Sequence, residues 1–200
     1  MNNVFRDATK CDAPDLIRIA DASAAAQDEF IYAAPESVRV LWGWLEKTGV
    51  ALYAVVRMSA APSAQFFAKI ADVLRVGAVG VILDVGNPDA MVQAASDLFF
   101  IREDLFFGRK LFFGLDLEKI EPDVWTDVWF NVKKTNAHGI AFNVPADFVG
   151  GVFALFDSMP ADFAGELHFR IADRKMATDI IRMFEKMRGS DAAVKLYFII

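Results

Sequence analysis

Ala78-Val79-Gly80-Val81-Ile82-Leu83-Asp84-Val85-Gly86-Asn87-Pro88-Asp89 is an almost wholly apolar run that ends in a polar cluster. A strand buried on both faces reads this way, as a continuous apolar run rather than an alternating one. Asn87-Pro88-Asp89 then supplies a capping side chain and a proline suited to a helix's first turn. Units of this kind recur outward in both directions. Upstream, Ala51 to Met58 reads as a strand, and Pro62-Ser63 starts a helix through Leu74 that Gly77 closes. Further back, Ala33-Ala34-Pro35-Glu36 opens a helix to Lys47, stopped by Gly49, with Val38, Leu41, Trp42 and Leu45 as one buried stripe.

Downstream, Lys110 to Leu115 is a strand ending in Asp116, and Glu121-Pro122-Asp123 opens a Trp-rich helix to about Lys134. Gly139 to Val144 is a strand ending at Asn143. Asp147 to Phe156 is a short helix weakened by Gly150-Gly151. Glu166 to Ala172 is a strand, Met176 to Met187 a helix stopped by Gly189, and Val194 to Ile200 a last strand. Strand and helix alternate about every thirty residues, which argues for an α/β protein with a mostly parallel sheet. Roughly seven or eight strands, single helices between them and no strong nucleotide fingerprint favour a closed (β/α) barrel. Residues 1–200 are expected to form a single domain. It is small for a barrel, and the terminal strand suggests a trimmed barrel or a piece of a longer protein.

The N-terminal stretch allows two readings. Val4 to Ala8 is a short strand, and Leu16 to Ala20 is either a second strand or part of a helix from Pro14 to Ala26 capped by Asp12. A parallel crossover needs about a dozen residues. Two strands here would therefore run antiparallel.

Composition narrows the function classes. The chain is 55% hydrophobic with 19 Phe, enough for a thick core between sheet and helices. Its net charge of −6 and scattered basic pairs (Lys133-Lys134, Arg174-Lys175) argue against a nucleic-acid partner. The one cysteine, Cys11, excludes an internal disulfide and a multi-cysteine metal site. It fits a reducing, cytoplasmic setting, with no signal peptide visible. No apolar run reaches the roughly 18 residues of a membrane span, and no cofactor is implied.

Asp15-Leu16-Ile17-Arg18, followed by Glu29-Phe30-Ile31-Tyr32-Ala33-Ala34-Pro35-Glu36, resembles the start of EAL domains, the cyclic-di-GMP phosphodiesterase family. Val55 to Ser59, Ile82 to Asn87, Leu115 to Glu118, Ile140 to Val149 and Phe169 to Asp173 fall where that family has its later strand-end motifs. The resemblance implies a TIM-like barrel whose first strand is antiparallel to the rest, so that Val4–Ala8 and Leu16–Ala20 would form a hairpin-like pair. It also implies a lost active site. Pro14, Arg57, Leu117, Ala141, Asn143 and Arg170 stand at positions where the family has its Glu, Asn, Asp and Lys residues. Asp84 and Asp116 alone remain, too few to clamp two metals.

The expectation on this reading is a catalytically inactive regulatory module in bacterial signalling, with a protein partner or a homodimer and cyclic-di-GMP as a candidate ligand. The alternative is an active barrel lyase or isomerase of small phosphorylated or carboxylated compounds. Asp84 and Asp116 would then be acid and base, and Arg57 and Arg170 anion clamps. Candidate ligand-binding residues are Arg18, which occupies a family nucleotide-contact position, and the strand ends Arg57, Asp84, Asp116, Asn143, Arg170 and Asp173. The bland reading of the last group is a buried salt-bridge network in which Arg57 and Arg170 pair with Asp84 and Asp116. His168, between Leu167 and Phe169, reads as a satisfied core or outward-facing histidine rather than a catalytic base. Trp125 and Trp129, four apart on one helix, read as a core or interface stripe.

Overall fold

The computed structural model describes residues 4–58, 64–99, 101–146, 149–189 and 193–200. Eight strands close into a barrel in chain order, β1 (Val4–Ala8), β2 (Phe30–Ala33), β3 (Ala51–Arg57), β4 (Gly80–Gly86), β5 (Lys110–Asp116), β6 (Gly139–Asn143), β7 (Glu166–Arg170) and β8 (Lys195–Ile199). Between them lie α1 (Ala13–Ala26), α2 (Val38–Leu45), α3 (Ala64–Val76), α4 (Pro88–Leu98), the single turn α5 (Arg102–Leu105), α6 (Trp125–Lys134), α7 (Val149–Ser158) and α8 (Arg174–Arg188). This is the TIM-barrel fold that the alternation implies. The start signals read at Pro62-Ser63 and Asp147 lie outside the described residues.

The antiparallel first strand is not there. Arg6, Asp7 and Ala8 pair in parallel with Ile31, Tyr32 and Ala33, and Leu16–Ala20 is helix. Asp12 accepts a hydrogen bond from the Asp15 amide at 3.1 Å, and Leu16, Ala20 and Ser23 form the buried stripe of α1. With a helix between them, β1 and β2 have the chain length that a parallel crossover needs. The partner strand, β2, is four residues long and fully buried. The helix-start signal immediately after it, at Pro35, hid it in the sequence.

The chain divides into two compact units. One holds Phe5–Asp84 and Ile101–Phe112. Its centre is a run of rings, with Phe5 stacked on Phe30 at 4.3 Å, Phe30 edge-on to Tyr53 at 5.0 Å and Tyr53 edge-on to Phe112 at 5.6 Å. Edge and offset geometries suit the ring quadrupoles. Parallel registers place Tyr32 beside Tyr53 and Arg57 beside Asp84.

The other unit holds Val85–Phe100 and Phe113–Ile200, with Val4. Strands β6, β7 and β8 pair in parallel, Phe142 with Phe169 and Phe169 with Phe198. These three rings stack, and Trp125 of α6 and Phe156 of α7 pack on Phe142 and Phe169. That contact defines the helix-covered face. Side chains alternate along a strand, so Asn143, Glu166, His168, Arg170 and Tyr197 lie on the opposite face.

Candidate functional site

The C-terminal ends of barrel strands are where such folds place ligands. In the unit containing β6–β8, the ends of β5, β6 and β7 carry a continuous polar row. Asp116 ends β5. Its Oδ1 accepts from Asn143 Nδ2 at 2.7 Å, and its Oδ2 accepts from Lys119 Nζ at 2.6 Å. Asn143 Oδ1 in turn accepts from Arg170 Nη1 at 3.5 Å. Two donors on two oxygens fix the Asp116 carboxylate in one orientation while its side chain stays 25% exposed. Gly86 passes close by. A Cβ built on it would lie 3.6 Å from Asp116 Oδ2, and its φ of +76° is one that side-chain-bearing residues rarely adopt.

Lys119 is the member that the sequence reading missed. It lies three residues beyond Asp116, past the strand, in a short 3-10 turn formed by Leu117–Lys119. The tilt of that turn brings Nζ back to the carboxylate, and the spacing was the only available signal. Leu117 is fully buried and Glu118 exposed, so neither joins the row.

In the other unit, Asp84 ends up 7% exposed beside its register partner Arg57, whose Nε donates to Oδ2 at 3.2 Å. Arg57 itself is 85% exposed. The pair expected between them forms, but it is not a buried network. Arg170 and Asp116, the other pair expected, are linked through Asn143, which accepts from Arg170 and donates to Asp116. Lys119 pairs with Asp116 directly.

The remaining candidates are structural by placement. Arg18 stands exposed on α1, paired with Asp15 one turn back, and is not at a strand end. Asp173 caps α8 and accepts from the Met176 amide at 2.9 Å; Asn87 caps α4 and accepts from the Ala90 amide at 2.9 Å. Trp125 and Trp129 are buried and stacked at 6.1 Å, which makes them core and not an interface stripe. His168 is fully buried, with Nε2 3.4 Å from Glu166 Oε2 and its ring 4.9 Å from that of Tyr197. Burial pushes the Cys11 thiol up, helped by Asp15, Asp7 and Asp12. It is therefore a poor nucleophile at neutral pH. Among the described residues, no group of three or more His, Cys, Asp or Glu is placed to hold a metal ion, and no helix is long and apolar enough to cross a membrane.

No protein-family model matches the chain, and no curated protein matches it by sequence. Solved structures do match. The chain is similar to the deoxyribose-phosphate aldolase of Aeropyrum pernix, at 14% identity and a TM-score of 0.71, over 97% of this chain and 84% of that one. It is similar to QR15, an aldolase, at 11% identity and a TM-score of 0.72, over 97% and 88%. It is also similar to 2,3-dimethylmalate lyase, of the PEP mutase/isocitrate lyase superfamily, at 8% identity and a TM-score of 0.62, over 97% and 74%. At such identities the likeness is one of fold. These findings lend no support to the EAL resemblance, and the expectation of a non-catalytic signalling module is corrected by them. The three barrels named above are two aldolases and a lyase, and the hairpin that the EAL resemblance required is replaced by α1.

Proposed function

We propose that this chain is a barrel enzyme of the lyase or isomerase kind, acting next to a carbonyl group in a small carboxylated or phosphorylated compound. The observation that carries the reading is the row Lys119–Asp116–Asn143–Arg170 along the ends of β5, β6 and β7. Asp116 is a carboxylate held in place and still open to solvent, which suits a general base or acid. Taking a proton from a substrate hydroxyl, it would start cleavage of the adjacent carbon–carbon bond. The hydroxyl oxygen becomes the carbonyl of the released aldehyde, the electron pair of the broken bond moves onto the carbon beside the remaining carbonyl as an enolate, and the proton taken by Asp116, returned to that carbon, completes the keto product. Arg170 offers a planar, permanently charged group suited to a carboxylate or phosphate. Asn143 bridges the two and sets their spacing. The names of the similar structures, aldolases and a lyase, support the same class. A cytoplasmic setting fits a chain with one cysteine.

The test is turnover of short sugar phosphates and hydroxy acids, read by release of the aldehyde or keto product. Asp116→Asn is expected to lower kcat by about a hundredfold or more, and Arg170→Lys to raise KM, because one bidentate donor is lost. Unchanged turnover in Asp116→Asn would remove Asp116 from this role. No turnover of any compound, joined to no calorimetric binding of phosphate or pyruvate, would sink the reading.

A further inference from the structure

The helix α6 is polarised along its outer face. Its inner face buries Trp125, Val128, Trp129 and Val132. Outward, Asp127, Phe130 and Lys133 are exposed at three-residue steps, with Lys134 beside them. Phe130 sits at the middle of this stripe and is 62% exposed. The acid lies three residues before it and the base three after it. The neighbouring helix α4 packs against α6 and continues the apolar surface. Phe99, just past its end, is 54% exposed, and the Lys134 ammonium lies 5.8 Å from its ring centre. Val92 is 45% exposed.

We propose that this face docks a second copy of the chain, with α6 antiparallel to its counterpart about a two-fold axis at Phe130. The stripe is complementary to itself in that orientation alone. Phe130 meets Phe130, and each Asp127 meets the other copy's Lys133, displacing the exposed pair that Lys133 Nζ makes with Asp162 Oδ2 at 3.6 Å, of a kind worth little by itself. In a parallel arrangement, like charges would face each other. The helix dipoles also oppose favourably when antiparallel. A contact that complements itself about a two-fold axis is what an isologous dimer requires. A helix of this length spans about 15 Å. A stable interface needs roughly 800 Å² from each partner, so Phe99 and Val92 of the α4 side form part of the footprint. The inference is independent of the proposed reaction, because none of these residues belongs to the Asp116 row.

Sedimentation of the purified chain over about 1 to 100 µM tests it, since that range brackets weak and moderate dimers. The wild type is expected to be dimeric, and less so at high salt. Phe130→Asp is expected to raise the dissociation constant by about thirtyfold or more, the scale of losing a central aromatic anchor. Asp127→Lys and Lys133→Asp should each weaken the homodimer. Mixed one to one, they should form a heterodimer tighter than either homodimer, because both charge contacts are then opposite in sign. Circular dichroism checks that each variant is folded. A monomeric wild type at the highest concentration overturns the proposal, including the case in which a different protein covers this face. Unchanged dimerisation in Phe130→Asp, or no heterodimer in the mixture, overturns it too.

Discussion

Gly80 and Gly43 show how much a single Cβ depends on its surroundings. A Cβ on Gly80 would fall 2.7 Å from the Tyr53 ring and 2.8 Å from the Lys110 carbonyl oxygen. Backbone cannot give way as a side chain can. Gly80→Ala is therefore expected to lower stability by about 1–3 kcal/mol, the scale of overpacking. Gly43 is exposed in the middle of α2, with nothing within 4 Å of a built Cβ. Gly43→Ala should raise stability by about 0.5–1 kcal/mol, through helix propensity and a less disordered unfolded chain. Urea midpoints of both variants check the opposite signs. Glu36 adds a pH dependence. The hydrogen bond from Lys69, at 2.8 Å, holds its carboxyl below the ordinary value of 4.5. A depressed folded pKa means stabilisation that is present above pH 4.5 and lost as pH falls through the folded value. Both partners are exposed, so the effect is a few tenths of a kcal/mol. Glu36→Gln should lower stability by those few tenths at neutral pH, converge on the wild type in acid, and so flatten that part of the acid-side slope.

At the scale of elements, the sequence offers two caps, Asp12 and Asn87, while Asp173, read there as a strand-end ligand candidate, proves to be a third. Asp12, Asn87 and Asp173 each accept a backbone amide in the first turn of α1, α4 and α8. Replacing any of them by Ala should cost about 1 kcal/mol. Asp173→Ala separates two roles: thermal stability should fall while any anion affinity that depends on Arg170 stays unchanged. The alternation of apolar runs and capped helices was enough to imply the barrel, since buried parallel strands leave that pattern whatever the protein does. Two elements defeated it. The strand β2 is too short to show a period, and α1 competed with a strand because Leu16-Ile17-Arg18-Ile19-Ala20 is rich in residues that suit either. A family resemblance resting on sparse matches tipped that choice the wrong way, although Leu16, Ala20 and Ser23 carry helical spacing. Of the polar row, Asp116, Asn143 and Arg170 were legible because each ends a strand. Lys119 was not, because its contact depends on how the chain turns after β5.

For the whole molecule, the 19 Phe residues make the composition look uniformly like core, yet the fold divides them. Phe142, Phe169 and Phe198 are fully buried and stacked between sheet and helices, whereas Phe130, Phe99 and Phe153 are more than half exposed. Composition cannot make this division, because it rests on which helix side meets the sheet. The two sets should answer truncation differently. Phe169→Ala removes a ring from contact with Phe142, Phe156 and Phe198 and leaves a cavity that rigid neighbours only partly fill. Its expected cost is about 3–5 kcal/mol, a large share of the total stability of a domain, typically about 5–15 kcal/mol. Phe130→Ala opens no cavity and should change the stability of the monomer by no more than about 0.5 kcal/mol. Denaturant unfolding at a dilution where any dimer has dissociated measures both, and an equal loss in the two variants would contradict the division of the aromatics between core and docking face.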